Sequence, residues 1–270
     1  MSALLAAQPG LRVLQRNLWV YRRTWRGSIF SSFLTPVLFL LAMGLGVGTL
    51  IGGRGATSGL GGGTLAAGVT YLAFLAPGLM AGSAMQTAAF ESSFRIMIGI
   101  EWRREFHAML ATPLSVWDVL VGELGFIGFR LFTTASAFFV VMLLFGVPTS
   151  PLAVLTIPAA MLTGYAFSPL IIAFSATLKG NTNGFNMLFR FVVMPLFLFS
   201  GTFFPIERLP DALRTLAWLT PLYHGVALTR DLTLGTVEAS TTLAHLAVLT
   251  LFAVVGVVLA HRVMRRRMLS

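Results

Sequence analysis

Between Arg130 and Lys179 the chain runs for 48 residues, Leu131 to Leu178, without one charged side chain. A bilayer-spanning helix needs about 20 mostly apolar residues, so this run is too long for one crossing. Its middle holds VPTSPL, Val147–Leu152, whose two prolines predict a tight turn. The run therefore reads as a helical hairpin with spans near 124–146 and 153–177. A soluble chain could not hide such a hairpin. Only 10% of residues are charged and 56% are hydrophobic, against roughly 25% charged in a soluble domain. The solvent for much of this chain is lipid.

Further uncharged runs predict spans at about 28–51, 67–91, 186–205 and 239–261, which makes six and puts both termini on one side. Fourteen of the nineteen basic residues flank the segments on that side, against four on the other, with Arg130 inside a span. The positive-inside rule then makes both termini cytoplasmic. The formal charge of +10 is scattered between apolar runs and does not form a nucleic-acid patch. The amino-terminal sequence has no basic region ahead of its short apolar run, so no removed signal peptide is expected. There is no cysteine, which excludes disulfide and thiol chemistry.

Residues 11–26 segregate on a helical wheel. Leu11, Leu14, Leu18, Tyr21 and Trp25 fall within about 80°, with Arg12, Arg16, Arg22, Arg23 and Arg26 on a neighbouring arc. This predicts an amphipathic helix lying in the cytoplasmic interface, basic face toward lipid phosphates.

The sequence offers little catalytic chemistry. Its four histidines are far apart and form no metal motif, and the glycine-rich Leu50–Thr64 lacks the phosphate-loop pattern. The chain therefore cannot hydrolyse ATP through a phosphate loop. Ion-driven transport usually leaves ionisable groups at mid-membrane; here only Arg130 and His245 are deep. Arg130 is expected to snorkel or to pair with Glu123, and His245 to be a hydrogen-bonded packing residue.

The cytoplasmic stretch Ile100–Leu124 is more informative. Trp102, Phe106, Met109 and Leu110 recur at helical spacing, with Glu101, Arg103, Arg104 and Glu105 around them. Thr112-Pro113 ends that helix, and Ser115-x-x-Asp118 resembles a capping box for the next. Periodicity is satisfied equally by a helix docked in a partner's groove and by one resting on lipid. A second unusual stretch is Ser200–Gly225, too broken by Pro205, Pro210 and Pro221 to span and too apolar for a soluble loop. It predicts that Pro205 ends the fifth span and that two short helices follow. Together, residues 206–235 are expected to form an external re-entrant segment.

These features carry a family resemblance. Tyr71–Ser92, Arg104–Leu124 and Pro195–Arg230, within a six-span layout, resemble the membrane subunit of a type-2 ABC exporter. The group concerned contains nodulation protein J and daunorubicin-resistance permeases. The resemblance covers nearly the whole chain and implies one all-α transmembrane permease domain, 1–270. It implies that 11–26 is a connecting helix, with Arg12, Arg16, Arg23 and Trp25 placed to reach the ATPase. Residues 100–112 would be the coupling helix, with Glu101, Trp102, Arg103, Arg104, Glu105, Phe106 and Met109 at the contact. The pathway would lie between two permeases, a second copy or a paralogue, with Ser32, Thr35, Gln86, Phe90, Asn186, Phe189 and Thr202 as candidate lining. Phe203, Phe204, Pro205, Leu213, Trp218 and His224 would form an external gate. No cofactor is expected on this chain; ATP and magnesium would sit on two copies of a separate ABC ATPase. The implied cargo is hydrophobic or amphiphilic: a drug or antibiotic, as in multidrug efflux, a glycolipid or a lipid-linked saccharide. The implied location is the bacterial cell membrane. The rival reading is a non-transporting membrane scaffold or assembly factor.

Overall fold

A computed structural model describes residues 9–23, 25–42, 71–180, 182–206 and 210–269, and every regular element among them is helical. The glycine-rich stretch 50–64, the outer parts of the first two expected spans, and Glu207, Arg208 and Leu209 lie outside the described residues.

The helices are α1 (Pro9–Tyr21), α2 (Trp25–Leu41), α3 (Tyr71–Ser92), α4 (Phe94–Met97), α5 (Glu105–Leu110), α6 (Val116–Leu144), α7 (Thr156–Thr177), α8 (Asn183–Leu188), α9 (Met194–Phe199), α10 (Asp211–Trp218), α11 (Pro221–Leu234) and α12 (Ala239–Leu269). A π-helical turn, Ile98–Trp102, follows α4, and another, Phe189–Val193, joins α8 to α9. The second lies directly before Pro195, which has no N–H to donate to the carbonyl four residues back, and the ladder widens there.

Three described helical stretches are long and apolar enough to cross a membrane: Val116–Leu144, Pro151–Thr177 and Ala239–Leu269. Trp25–Leu41 and Asn183–Phe199 are apolar but shorter. Helix α3 reaches 22 residues yet is built from Ala, Gly and Ser among its larger side chains. It needs no greasy exterior, because α6, α7 and α11 pack around it. Small residues let helices approach closely where lipid supplies no hydrophobic drive between them. Ser92 Oγ lies 2.9 Å from Ser168 Oγ, and Ser175 Oγ donates to the Ser92 carbonyl at 2.8 Å, stitching α3 to α7.

Local signals set several helix ends as expected. Ser115 Oγ accepts from the Asp118 N–H at 3.2 Å and the Asp118 carboxylate accepts from the Ser115 N–H at 2.9 Å, a complete capping box. Ser150 caps the 3₁₀ turn Pro151–Leu155 that opens the second arm of the hairpin. Pro221 occupies the first turn of α11.

Other boundaries are corrected. The helix that would carry the third span begins at Val116, at the capping box, eight residues ahead of 124 where the span was expected to start. The helix expected to carry the fifth span ends at Phe199, well before Pro205. It stops at Ser200–Gly201, where Gly201 takes a φ of 80° that side-chain-bearing residues avoid. The last helix continues past 261 to Leu269. Residues 100–112 are not one helix: Arg104 adopts φ 50°, which separates the π turn from α5.

Helix α1 also departs from its wheel. The buried face is Gly10, Val13 and Asn17, set against α6, while Leu11, Leu14 and Leu18 are only partly covered. A Cβ at Gly122 would fall on the Val13 side chain and 2.9 Å from the Gly10 carbonyl. A glycine notch in α6, invisible to a hydrophobic wheel, therefore chooses the face that docks.

Candidate functional site

A cavity of about 550 Å³ opens between α2, α3, α6 and α9. Hydroxyl and amide groups of Ser32, Thr35, Ser83, Gln86, Thr87 and Thr134 line it, with Phe39, Phe90, Phe138 and Phe197 as aromatic walls. Ser32, Thr35, Gln86 and Phe90 were singled out by sequence, and the fold gathers all four here. Phe189 is adjacent, its ring stacked on Phe90 at 4.7 Å. Asn186 and Thr202 do not line it: Asn186 is exposed on α8, and Thr202 is wholly buried beside Gly78.

One ion pair enters the lining. Arg130 Nε donates to Glu91 Oε1 at 2.8 Å, and its Nη1 to the Tyr21 hydroxyl at 3.0 Å. Glu123 is not its partner. Glu123, 1% exposed, accepts from Arg95 Nε and from Asn17 Nδ2, both at 2.8 Å. The Arg95 guanidinium also lies 4.0 Å from the centre of the Phe126 ring. Buried charge is tolerated only when paired and hydrogen-bonded, and each acid here has both. The two clusters share a plan: a polar residue of α1, Asn17 or Tyr21, joins an acid–arginine pair that bridges α6 to the region of α3 and α4. Sequence reasoning offered Glu123 as a partner for Arg130 and gave Glu91 none, whereas the fold pairs Arg130 with Glu91 and Glu123 with Arg95.

Below these clusters, the 98–110 segment is tied inward. Glu101 pairs with Arg267 of α12, and Glu105 pairs with Arg16 of α1 and with Arg103 at 3.3 Å. Partial burial lowers the Arg16 pKa from its ordinary value, opposed by the nearby Glu123. Phe106 is buried over Gly99 instead of facing outward, because the break at Arg104 turns α5 back onto the π turn. Met109 is half-buried. Trp102, 61% exposed, is the aromatic left outside, with Arg103 and Arg104 beside it. Residues 11–26 are not one helix: Arg12 and Arg16 are exposed on α1, Arg23 is exposed in the turn after it, and Trp25 is exposed at the start of α2.

At the opposite end of the bundle, Phe203 contacts the rings of Phe197 and Phe39, with centres 5.2 and 6.2 Å apart. Phe204 and Pro205 are half-buried. Leu213 and Trp218 project outward from α10, whose one buried residue is Ala217. His224 Nδ1 lies 2.8 Å from His245 Nδ1, and His224 Nε2 lies 2.9 Å from the Trp218 carbonyl, joining α10, α11 and α12. His245 is thus hydrogen-bonded, as expected. Arg230 was counted in the sequence only as a loop cation. It donates to the Gly201 carbonyl at 2.8 Å and the Phe74 carbonyl at 3.2 Å, and its guanidinium sits 3.7 Å over the Phe74 ring. The available signal was an arginine set between the apolar Leu228 and Leu232 of α11.

Comparison with known proteins fits this architecture. The profile of the ABC-2 type transporter family matches residues 11–234. Nodulation protein J of Rhizobium leguminosarum bv. viciae is 31% identical over 260 residues, covering 96% of this chain and 95% of its own. Nodulation protein J of Sinorhizobium fredii is 29% identical over 271 residues, covering 100% and 98%. The inner membrane transport permease YadH of Escherichia coli is 23% identical over 227 residues, covering 80% of each.

Proposed function

The chain belongs to the ABC-2 type transporter family, and from that premise we propose that it is the permease subunit of an ATP-driven exporter. In this reading six helices span the bacterial inner membrane and both termini are cytoplasmic. Two permeases, identical or paralogous, enclose the pathway, and two copies of a separate ATPase hydrolyse ATP. Residues 206–235 form the external re-entrant segment.

The observation that carries the proposal is the cavity between α2, α3, α6 and α9 with the Glu91–Arg130 pair in its wall. Its charge is internally neutralised, its polar lining is hydroxyl and amide, and its walls are aromatic. That chemistry suits an amphiphile with an uncharged polar part and an apolar part. Glycolipids, lipid-linked saccharides and amphiphilic antibiotics all have it. The same arginine reaches Tyr21 of α1, so movement of α1 would be felt at the cavity wall. Force would enter through the exposed residues of the 98–110 segment and through α1, and the ion pairs of Glu101, Glu105 and Glu123 would carry it to the spans.

The corrected geometry sharpens the choice of variants. Reversing Glu101 or Glu105 would break internal pairs, whereas Trp102 and Arg104 face outward. Trp102→Ala combined with Arg104→Glu is expected to weaken capture of the cognate ATPase at least about tenfold, equal to ~1.4 kcal/mol. Transport by the reconstituted pair should fall with it. If capture and transport both survive in a folded variant, the docking assignment fails. If no ATPase is captured by the wild-type chain, the scaffold reading replaces it.

A further inference from the structure

At the far end of α12 a separate pocket of about 310 Å³ lies between that helix and the start of α6. Leu114 and Leu269 give it an apolar side, and Trp117, His261 and Arg265 a polar one. The cavity described above uses none of these residues.

Three observations bear on what fills it. Depth is the first. Helix α12 has 31 residues, so it is about 46 Å long at 1.5 Å per residue, against a hydrocarbon core of ~30 Å. Its last turns therefore emerge among headgroups, where a half-exposed indole such as Trp117 is commonly found. Charge is the second. No acid lines the pocket, and Arg265 has no ion-pair partner among the described residues. The acids of the adjoining segments are occupied: Asp118 accepts from the Ser115 N–H and hydroxyl, and Glu101 is held by Arg267. The third is His261, whose ring stands edge-on to Trp117 at 5.4 Å and whose Nδ1 is shielded from water without a hydrogen bond. Buried polar atoms are rarely left so.

We propose that this pocket holds the phosphate headgroup of an anionic glycerophospholipid. The phosphate lies against Arg265 and His261, and an acyl chain runs past Trp117 and Leu114. Basic pockets between membrane helices recognise such headgroups. A bound lipid would fix the last turns of α12. Through the Arg267–Glu101 pair it would also brace the segment proposed to meet the ATPase. The site rests on the reading that this end lies at the membrane interface, but its test does not involve the ATPase.

The full chain would be purified in mild detergent, stripped of lipid and offered phosphatidylglycerol or phosphatidylcholine of identical acyl chains. Native mass spectrometry would count the retained lipid. Wild type should prefer phosphatidylglycerol by about fivefold or more, the effect of one arginine at an anionic surface. Arg265→Glu should abolish the preference, Trp117→Leu should lower retention of both lipids, and Arg190→Glu, remote from the pocket, should change neither. Equal retention by wild type, or an unchanged preference in both Arg265→Glu and Arg265→Gln, overturns the proposal. So does protection against thermal unfolding by inorganic phosphate equal to that by the lipid, since the site would then be one for free anions. Failure of the wild-type chain to capture an ATPase, with lipid preference intact, would count against the exporter reading and leave the lipid site standing.

Discussion

At the end of the bundle that carries α1, α5 and the tail of α12, helices are joined by acid–arginine pairs. They are Glu91 with Arg130, Glu123 with Arg95, Glu101 with Arg267 and Glu105 with Arg16. At the α10–α11 end, Arg230 instead bonds the carbonyls of Gly201 and Phe74, and two histidines meet each other and a carbonyl. The difference follows from the backbone. Helices α1, α3 and α6 satisfy their own carbonyls, so only side chains remain to tie them together. Residues 200–204 are not helical, and Ser200, Gly201 and Thr202 are buried, so their unwound backbone must find donors within the protein. One end is thus latched by charge, side chain to side chain, even across the break at Arg104. The other is a broken segment clamped by a cation on its main chain.

The largest expected effect tests the charged end. Glu123→Ala leaves Arg95 and Asn17 without their acceptor, and removing one partner of a buried pair costs about 3–5 kcal/mol. Unfolding in mild detergent should show it, and a loss under about 1 kcal/mol would mean the pair is not a latch. Next comes the clamp. Arg230→Ala removes two charge-assisted bonds and should cost about 1.5–3 kcal/mol. Amide exchange should accelerate at residues 201–206 and stay unchanged in α1. Acceleration spread evenly over both ends would erase the distinction drawn here. The smallest effect sharpens it by exclusion. Arg214 and Asp211 form the pair of α10, with side chains 40% and 93% exposed, so Arg214→Ala should change stability by less than about 1 kcal/mol.

How far these features were legible in the sequence depended on how local they are. The capping box of Ser115 and Asp118, the turn within Val147–Leu152 and the first turn of α11 at Pro221 are set within a few residues, and they stand where sequence placed them. Polar positions in apolar helices were also legible as such, and the fold brings Ser32, Thr35 and Gln86 together in one cavity. The 98–110 segment misled because helical spacing of Trp102, Phe106 and Met109 says nothing about a left-handed residue between them. The fifth helix misled in the same way. Pro205 was the obvious breaker, but Gly201 had already ended the helix.

From its order of residues alone, this chain determined its solvent, its helical class, its hairpin and several of its caps. Each is a property of a stretch short enough to act on itself. Only the tertiary structure decided which acid meets which arginine. Asn17 and Glu123 stand 106 positions apart, and Glu91 and Arg130 stand 39 apart. It also decided which face of α1 is buried, because a glycine notch on α6 admits Val13 where the wheel favoured leucines. Periodicity reports how a helix meets an average solvent, whereas a latch or a notch depends on where a second helix lies.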